Sequence, residues 1–454
     1  MKLPNTTGGN TSISPIDTST NAPHDESGFA ALYAKTGLVM TENPNFDSRP
    51  TSTEWQTGQP RGRVELKPRK ARPFLARHPW VLDSAVATVS GRPADGDVVD
   101  VFSEQGGFLA RGIFNERSHV RVRLYTWDQT ELLDAAFWQR RLATAIGWRR
   151  RLGLMEGETA ARLVFSEADG LSGMVLDRFG SHVVLQVNSL AVAIRLPMLV
   201  PLIAELSQAA SVTVRSEGGL AKVEGMEVPA ACAWGSAPDG PVQFSENGIR
   251  YVVDLAVGQK TGFYLDQREN RRAAASYMRD RRVLDLFCYS GGFSLAASMQ
   301  GGAADVLGID SSEVAIRWAQ ANAELNGVHN VQFQQRECFE VLDEFRAAGR
   351  KFDAVVLDPP KFARNRFHVV EALRAYHRIN RVAVDLLEPD GILVTCSCSG
   401  SVSRQDFLDM LTGVAAKSRR TIHLLEQRGH ASDHPVSLAC PENEYLKCMI
   451  CRVV

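Results

Sequence analysis

The alternation of strands and helices from Val283 onward is the feature that most limits how this chain can fold. Short apolar, β-branched runs recur there, separated by segments of helical periodicity. Strict alternation predicts a doubly wound, mostly parallel sheet of seven strands, because parallel neighbours need a helical crossover. The carboxyl ends of such strands border one ligand-binding crevice. The runs are Val283–Phe287, Val306–Ile309, Val331–Phe333, Ala354–Leu357, Ile392–Thr395, Thr421–Leu425 and Tyr445–Val453.

The rest of the chain predicts a multidomain α/β protein, since 454 residues exceed one ordinary core. Residues 1–60 are rich in Ser, Thr, Asn, Pro and Gly and are expected to be disordered. Short β-type runs between glycine and proline turns predict a small β-barrel over 61–129. A helix over Leu132–Leu152 and mixed strands indicate a small central α/β domain over 130–255, and the parallel sheet belongs to 256–454.

Charge and cysteine usage exclude several classes of protein. A formal net charge of −1 means that any nucleic-acid surface must be local. Eight cysteines in a chain of this length are not a disulfide framework, and no uninterrupted apolar run is long enough to span a membrane. The N-terminus lacks the pattern of a signal peptide, so we expect a cytoplasmic protein.

A glycine turn between the first parallel strand and its helix is the candidate cofactor loop. It contains Asp285 and Gly291, and Asp310 closes the next strand at the spacing of an acid that binds ribose hydroxyls. The G-x-G-x-x-G pattern that cradles a pyrophosphate is absent. An acid inside the loop favours S-adenosylmethionine (SAM), which carries no phosphate. Alone, this loop leaves SAM and an ordinary Rossmann turn equally open.

Two further strand ends favour SAM. Glu337 follows the third strand, where an acid is placed to hold the adenine amino group, and Asp358-Pro359-Pro360 forms a rigid corner after the fourth. Four acidic strand ends in register are more specific than any one of them. The residues assigned to the cofactor site are Phe263, Asp285, Phe287, Tyr289, Gly291, Asp310, Glu337, Asp358 and Pro359.

Two cysteines follow the apolar strand Ile392–Thr395 and are candidates for a nucleophile. Cys396 and Cys398 are separated by one residue, so they share a face of an extended strand. Periodicity cannot choose between them, and each is equally well explained as a small buried hydrophobe.

With these motifs in place, the chain resembles the ribosomal RNA large subunit methyltransferase I family, SAM-dependent enzymes that make 5-methylcytosine in 23S rRNA. The likeness runs from about Arg61 to Val454. It implies an N-terminal PUA domain, a central α/β domain and a C-terminal class I methyltransferase domain. The motifs that carry it are Arg77-His-Pro-Trp80, Leu109-Ala-Arg-Gly112, Glu167-Ala-Asp-Gly-Leu-Ser-Gly173, Lys260-Thr-Gly-Phe-Tyr-Leu-Asp-Gln-Arg268, Asp358-Pro-Pro-Lys-Phe362, Cys398-Ser-Gly400 and Asp433-His-Pro435.

The resemblance also selects the nucleophile. RNA 5-methylcytosine methyltransferases place it seven residues after the glycine that opens this strand, which from Gly391 gives Cys398. It implies that Cys398 and Asp358 are catalytic and that Cys396 is a buried neighbour. Lys361 stands where the wider group has a second cysteine that helps to release product, so the base for the elimination step stays open.

Basic residues near the start of the predicted barrel are candidates for RNA contact. The segment Arg61–Trp80 carries seven basic residues against the single acid Glu65. A solvated charge run explains any one arginine equally well, as it does the cluster Arg149–Arg151. The residues assigned to RNA are Arg69, Lys70, Arg72, Arg77, His78, Trp80, Arg111 and Lys361.

Other readings of the chain remain as alternatives. Cys448 and Cys451 have metal spacing but lie in a predicted strand without a second pair, so no metal is expected. Methylation of an exocyclic amine, a nicotinamide oxidoreductase and a noncatalytic rRNA-binding assembly factor are the competing functions. The expected partner is 23S rRNA or a large-subunit assembly intermediate, and a homodimer is allowed for.

Overall fold

The computed structural model describes residues 57–255, 262–363 and 366–454. Most of the segment predicted to be disordered, and Lys260 and Thr261 of one family motif, lie outside these ranges. None of the described helices has the length and apolar character needed to cross a membrane. The α-helices in the described ranges are α1 Arg72–Leu75, α2 Ala135–Arg151, α3 Leu190–Ala193, α4 Leu196–Ser207, α5 Gly218–Glu224, α6 Arg268–Ala275, α7 Gly292–Met299, α8 Glu313–Leu325, α9 Cys338–Ala347, α10 Val369–Leu386 and α11 Arg404–Ser418.

The N-terminal strands form a six-stranded sheet in the order β2-β6-β5-β4-β1-β3. Alternate residues of its strands close a common core that includes Val64, Val99 and Leu124. The first strand lies inside the segment whose basic residues are candidates for RNA contact. Its polar residues face outward and Val64 and Leu66 are buried, an alternation that the charge of the segment hid. The strands are β1 Gly62–Leu66, β2 Trp80–Leu82, β3 Val86–Ser90, β4 Val98–Phe102, β5 Phe108–Phe114 and β6 Val120–Thr126.

The central part of the chain packs α2 and α4, with the shorter α3 and α5, against a five-stranded sheet in the order β11-β10-β9-β8-β7. Asp134 caps α2, because its carboxylate accepts a hydrogen bond of 2.9 Å from the amide of Phe137. A two-stranded hairpin follows and packs its apolar side toward the C-terminal part. The strands are β7 Ala160–Phe165, β8 Met174–Phe179, β9 His182–Val187, β10 Ser211–Ser216, β11 Ala231–Gly235, β12 Val242–Glu246 and β13 Ile249–Val253.

The C-terminal part is the predicted mostly parallel sheet, with seven strands in the order β16-β15-β14-β17-β18-β20-β19. The first five strands in that order are parallel to their neighbours, and β20 is antiparallel to both β18 and β19. Along β14, Val283 packs on one face and Leu284 on the other, so both faces carry helices. The strands are β14 Arg282–Leu286, β15 Asp305–Asp310, β16 Val331–Gln335, β17 Phe352–Leu357, β18 Leu387–Ser397, β19 Ile422–Arg428 and β20 Lys447–Val453.

Candidate active site

The candidate site lies at the carboxyl edge of the parallel strands. Asp310 ends β15, Asp358 directly follows β17, and Cys398 directly follows β18. Asp285 lies one residue before the end of β14, between those strands. The parallel register therefore brings together at one edge the groups that were chosen separately along the sequence.

The loop after β14 has the tight backbone that its sequence predicts. Phe287, Tyr289 and Gly291 have φ angles of 62°, 50° and 83°, a region that favours glycine. The amide of Tyr289 donates to Oδ2 of Asp310 across 3.0 Å, which fixes the loop against β15. A Cβ atom on Gly291 would lie 2.8 Å from Cζ of Phe333, so a side chain has no room there.

Asp285 has an unfilled hydrogen-bonding capacity beside this loop. Its side chain is buried and Oδ2 accepts a hydrogen bond of 2.6 Å from the hydroxyl of Ser294. Oδ1 has no partner among the described residues, and neither has the buried hydroxyl of Ser290. Burial, with Asp358 and Asp310 nearby, raises the pKa of Asp285 to about 7. A buried carboxylate oxygen without a donor fits the ammonium group of SAM.

The other cofactor candidates have different surroundings. Phe263 is buried against Phe244, with ring centroids 5.0 Å apart, and its contact with a cofactor stays a prediction. The neighbouring Gly262 carbonyl accepts a hydrogen bond of 2.9 Å from the hydroxyl of Tyr289, which joins this segment to the loop. Glu337 is exposed at the N-terminus of α9.

The two cysteines occupy different environments. Cys396 is fully buried in β18 opposite Cys448 of β20, as its predicted structural role requires. Burial and Cys448 raise the pKa of the Cys396 thiol well above its usual value. Cys398 lies beyond the end of the strand and is partly exposed, with Sγ 3.9 Å from the carbonyl oxygen of Pro359. The sequence pattern predicts that Cys396 and Cys398 share one face of a strand. In the structure β18 ends at Ser397, between the two cysteines.

Several residues around Cys398 were not found from the sequence. Tyr376 approaches the hydroxyl of Ser399 at 3.2 Å, and the Nζ atom of Lys447 donates to the Ser399 carbonyl across 2.7 Å. Tyr445 donates through its hydroxyl to Oδ2 of Asp266. Tyr445 and Lys447 reach this edge because β20 runs antiparallel to β18 and begins where β18 ends. The pairing of β20 with β18 is the information that would have identified Tyr445 and Lys447, and the sequence alone does not provide it.

Asp433, from a family motif without a predicted role, joins distant parts of the chain. Its carboxylate accepts hydrogen bonds from Arg268 at 2.5 Å and from the amide of Arg162 at 2.9 Å. His434 lies 2.8 Å from the same carboxylate. The guanidinium of Arg149 donates to the Asp433 carbonyl across 2.6 Å, so one residue of the basic cluster on α2 is a buried structural group.

The proposed RNA residues divide into exposed and buried groups. Arg69, Lys70, Arg72, Arg77 and Lys361 are exposed. Arg111 is buried and its guanidinium donates to Asp100 across 2.7 Å, so no face of it is open to a phosphate. The indole of Trp80 donates to Glu167 across 3.0 Å.

His78 lies in a small cluster with Cys440 and Glu442, three side chains with ligand atoms within 4.8 Å of one another. Burial and nearby acids raise the pKa of the Cys440 thiol to about 12, so the thiol donates to Glu442 at 3.5 Å. Hydrogen bonding accounts for this cluster.

A basic groove of about 520 Å³ adjoins the first sheet, α2 and the loop around Ser437. Arg77, Arg141 and Arg151 line it together with Trp148, whose side chain is 48% exposed on α2. The acids in its wall are paired within the protein: Glu167 lies near Arg123, and Asp169 accepts a bond of 2.6 Å from Arg149. The groove therefore presents cations together with the aromatic side chains of Trp127 and Trp148.

Sequence comparison matches residues 201–441 to the family of S-adenosylmethionine-dependent methyltransferases and residues 64–127 to PUA-like domains. The fold resembles that of a SAM-dependent methyltransferase from Streptococcus mutans, with a TM-score of 0.74 and 20% identity over 86% of this chain and 99% of that one. It also resembles SMU.776, solved in complex with SAH, with a TM-score of 0.75 and 21% identity over the same shares. The chain is thus a SAM-dependent methyltransferase with a PUA-like domain.

Relatives with higher sequence identity identify the family of methyltransferases. Ribosomal RNA large subunit methyltransferase I of Aeromonas hydrophila is 40% identical over 84% of this chain and 96% of its own length. The proteins of the same name from Klebsiella pneumoniae and Escherichia coli are 37% and 38% identical over 86% of this chain and 98% and 99% of theirs. The chain belongs to the ribosomal RNA large subunit methyltransferase I family.

Proposed function

We propose that this protein methylates carbon 5 of a cytosine in 23S rRNA, using SAM and a covalent bond between Cys398 and the base. The observation that carries the proposal is the partly exposed thiol of Cys398 beside the Asp358-Pro359 corner, at the strand edge that carries the candidate SAM residues. The relatives are named as methyltransferases of large-subunit rRNA, which supports rRNA as the substrate class. The cytoplasm is the proposed compartment, and a homodimer stays a prediction.

The proposed chemistry starts with addition of the Cys398 thiolate to carbon 6 of cytosine. Carbon 5 is a poor nucleophile while the ring is aromatic. Formation of the S–C6 bond ends that aromaticity and raises the electron density at carbon 5. Asp358 would hydrogen-bond the base edge and favour protonation of the ring as sulfur adds. SAM, when bound, would supply an electrophilic methyl group to carbon 5 and would leave as S-adenosylhomocysteine. Carbon 5 then loses its proton to a base, the ring gives up the proton that it gained during addition, and the S–C6 bond breaks to return the thiolate.

The residues that would hold SAM are those of the β14 loop and its neighbours. Asp285 would offer its unpaired oxygen to the ammonium group, and Asp310 is proposed to accept hydrogen bonds from the ribose hydroxyls. Glu337 is proposed for the adenine amino group. Lys361 is exposed at the corner after Asp358 and is proposed to contact the RNA backbone rather than to release product.

Matched serine substitutions test the nucleophile. Cys398→Ser should abolish methylation while SAM affinity stays within about twofold, and Cys396→Ser should keep methylation, because the Cys396 thiol is buried. Bisulfite sequencing of 23S rRNA and calorimetric SAM titration read the two properties. RNA containing 5-fluorocytosine should form a stable adduct with the wild type and none with Cys398→Ser. An active Cys398→Ser protein that depends on Cys396 would move the nucleophile to Cys396, and activity in the double variant would exclude covalent catalysis.

Methylation of an exocyclic amine is the second candidate. It is favoured by the Asp358-Pro359-Pro360 corner followed by Phe362, whose ring lies 4.7 Å from that of Tyr376. That reaction needs no thiol. It predicts full activity in both serine variants and a modified base that bisulfite sequencing does not detect. A noncatalytic assembly factor would bind rRNA and leave no modified base.

We propose that the basic groove on α2 binds a single-stranded part of the RNA. An exposed indole stacks on an unstacked base, and the arginines around it contact phosphates. Trp148→Ala and Arg151→Glu should each weaken RNA binding by about tenfold at low salt. Arg92→Glu, an exposed arginine outside the groove lining, is the charge control for Arg151→Glu. Unchanged RNA affinity in both groove variants would exclude this surface as an RNA-binding site.

The proposed domain boundaries remain 61–129, 130–255 and 256–454.

A further inference from the structure

A buried lysine lies at the end of the strand that leads to Cys398. Lys447 opens β20 and pairs with Ser397 in the antiparallel register, and its side chain is 2% exposed. Its Nζ atom donates to the carbonyl oxygens of Ser399, at 2.7 Å, and Tyr445, at 2.9 Å. The ammonium is thus anchored to the backbone one residue beyond the Cys398 thiol.

Lys447 has no direct counter-ion among the described residues. Both hydrogen-bond acceptors are neutral carbonyls, and no carboxylate in the described ranges lies within 4.0 Å of Nζ. A buried ammonium without a carboxylate partner is costly. Burial accordingly lowers the pKa of Lys447 to about 8, while negative charge at Cys398 acts in the opposite direction. The thiolate of Cys398 is therefore an anion that this ammonium can compensate.

Among the described residues near the thiol, the other titratable groups do not supply that compensation. Asp358 carries negative charge and raises the pKa of both Cys396 and Tyr376, so it opposes a second anion in the pocket. Burial raises the pKa of Tyr264, Tyr376 and Tyr445, which keeps their hydroxyls neutral. Burial also lowers the pKa of His430 to about 4, so its ring is neutral near pH 7.

The charged groups at a greater distance from Lys447 have partners of their own. Arg404 and Glu444 both act on Lys447, and they form their own ion pair at 2.6 Å. Asp406 accepts hydrogen bonds from the amide and hydroxyl of Ser403 at the start of α11. Within the described ranges, Lys447 at the start of β20 and Asp358 just after β17 are thus opposing charges near Cys398.

We propose that Lys447 is a positioning residue whose ammonium stabilises the Cys398 thiolate and so keeps the nucleophile reactive near neutral pH. This inference rests on the proposed role of Cys398. The coupling is reciprocal, because a cation that is favoured by a thiolate favours that thiolate equally. It also explains why a lysine is buried at a strand end where an apolar residue would cost less.

Alkylation of Cys398 by iodoacetamide, followed by peptide mass spectrometry across pH 5 to 10, tests this in the full chain. Lys447→Gln keeps amide donors for the two carbonyls but removes the charge. It should slow alkylation of Cys398 near pH 7 by about tenfold, the equivalent of one pKa unit, and leave the limiting rate at high pH unchanged. Lys447→Arg should retain most of the wild-type profile.

Lys351→Gln is the control, because Lys351 also donates to a backbone carbonyl but is exposed at the opposite end of β17. In the wild type, the alkylation midpoint of Cys398 should lie below that of the exposed Cys232, a comparison that needs no variant. A Cys398 midpoint at or above that of Cys232 would refute the proposal, and so would a Lys447→Gln profile that coincides with the wild type.

Activity separates this inference from the proposed function. Lys447→Gln should lower kcat near pH 7 by about the same factor as alkylation, with recovery at higher pH and an unchanged KM for SAM. If the alkylation profile shifts but Cys398→Ser still methylates RNA, the electrostatic coupling stands and Cys398 is not the nucleophile. If Cys398→Ser is inactive and the profile does not shift, only the role of Lys447 fails.

Discussion

The carboxylate of Asp433 and the guanidinium of Arg268 form a fully buried ion pair with an N–O distance of 2.5 Å. Asp433→Asn would leave Arg268 buried without its charge partner. We expect it to lower the free energy of unfolding by about 3 kcal/mol, measured in urea. Asp390→Asn is the control, because its pair with Arg452 is exposed and should contribute less than about 1 kcal/mol. Equal losses in the two variants would contradict the structural role of Asp433.

The same pair predicts how stability depends on pH. His434 and Arg268 lower the pKa of Asp433 against the opposing effect of burial. A depressed carboxyl pKa stabilises the fold above the unfolded-state value of about 3.9, and this contribution is lost as pH falls below that value. The wild type should therefore lose stability more steeply than Asp433→Asn below about pH 4. Parallel pH profiles of the unfolding free energy would exclude this linkage.

Asp285 predicts a pH dependence of cofactor binding. Its pKa of about 7 means that the carboxyl is largely protonated at pH 6 and ionised at pH 8. A cationic ammonium binds the ionised form, so SAM affinity should rise by up to about tenfold per pH unit below the pKa and level off above it. Calorimetric titrations at several pH values measure this. Asp285→Asn should bind more weakly and without the rise, and an unaltered rise would assign it to another group.

The two ends of β15 offer a matched test of the cofactor site. Asp310 ends the strand and accepts the amide of Tyr289, whereas Asp305 opens it and is exposed. Asp310→Asn should weaken SAM binding by about tenfold or more, because a charged acceptor of the loop and of the ribose is lost. Asp305→Asn should bind as the wild type does. Similar affinities for both variants would place the cofactor away from this edge.

A comparison of two glycine-to-alanine variants distinguishes the cost of backbone strain from the cost of a steric clash. Gly291 and Gly302 both have positive φ angles, 83° and 68°, but only at Gly291 would a Cβ atom meet another side chain within 4 Å. Gly302→Ala should cost about 1 kcal/mol of unfolding free energy, and Gly291→Ala about 1 to 3 kcal/mol more. Only Gly291→Ala should also weaken SAM binding. Identical costs would mean that Phe333 moves aside freely.

The parts that could be predicted from sequence are those governed by local patterns. The predicted run Ala354–Leu357 lies within β17 and ends at the same residue, because apolar runs between turns report burial directly. The acids at the ends of β15 and β17 followed from the rule that ligands bind beyond parallel strands. Neither inference needed knowledge of a distant contact.

The parts that failed depend on partners far away in the chain. Arg111 and Arg149 carried the same charge as the exposed arginines, and only Asp100 and Asp169 show that they are internal. Lys447 was missed for a related reason. It lies 49 residues after Cys398, and only the antiparallel insertion of β20 beside β18 brings the two together.

That insertion also sets an order for synthesis. β18 emerges from the ribosome before β20, so one whole edge of the strand that precedes Cys398 lacks its hydrogen-bonding neighbour until the later segment has followed. The nascent polypeptide would therefore acquire all other strands of this sheet before its thiol environment is complete. If Lys447 acts on Cys398 as proposed, the thiol would gain its full reactivity only after β20 has paired with β18.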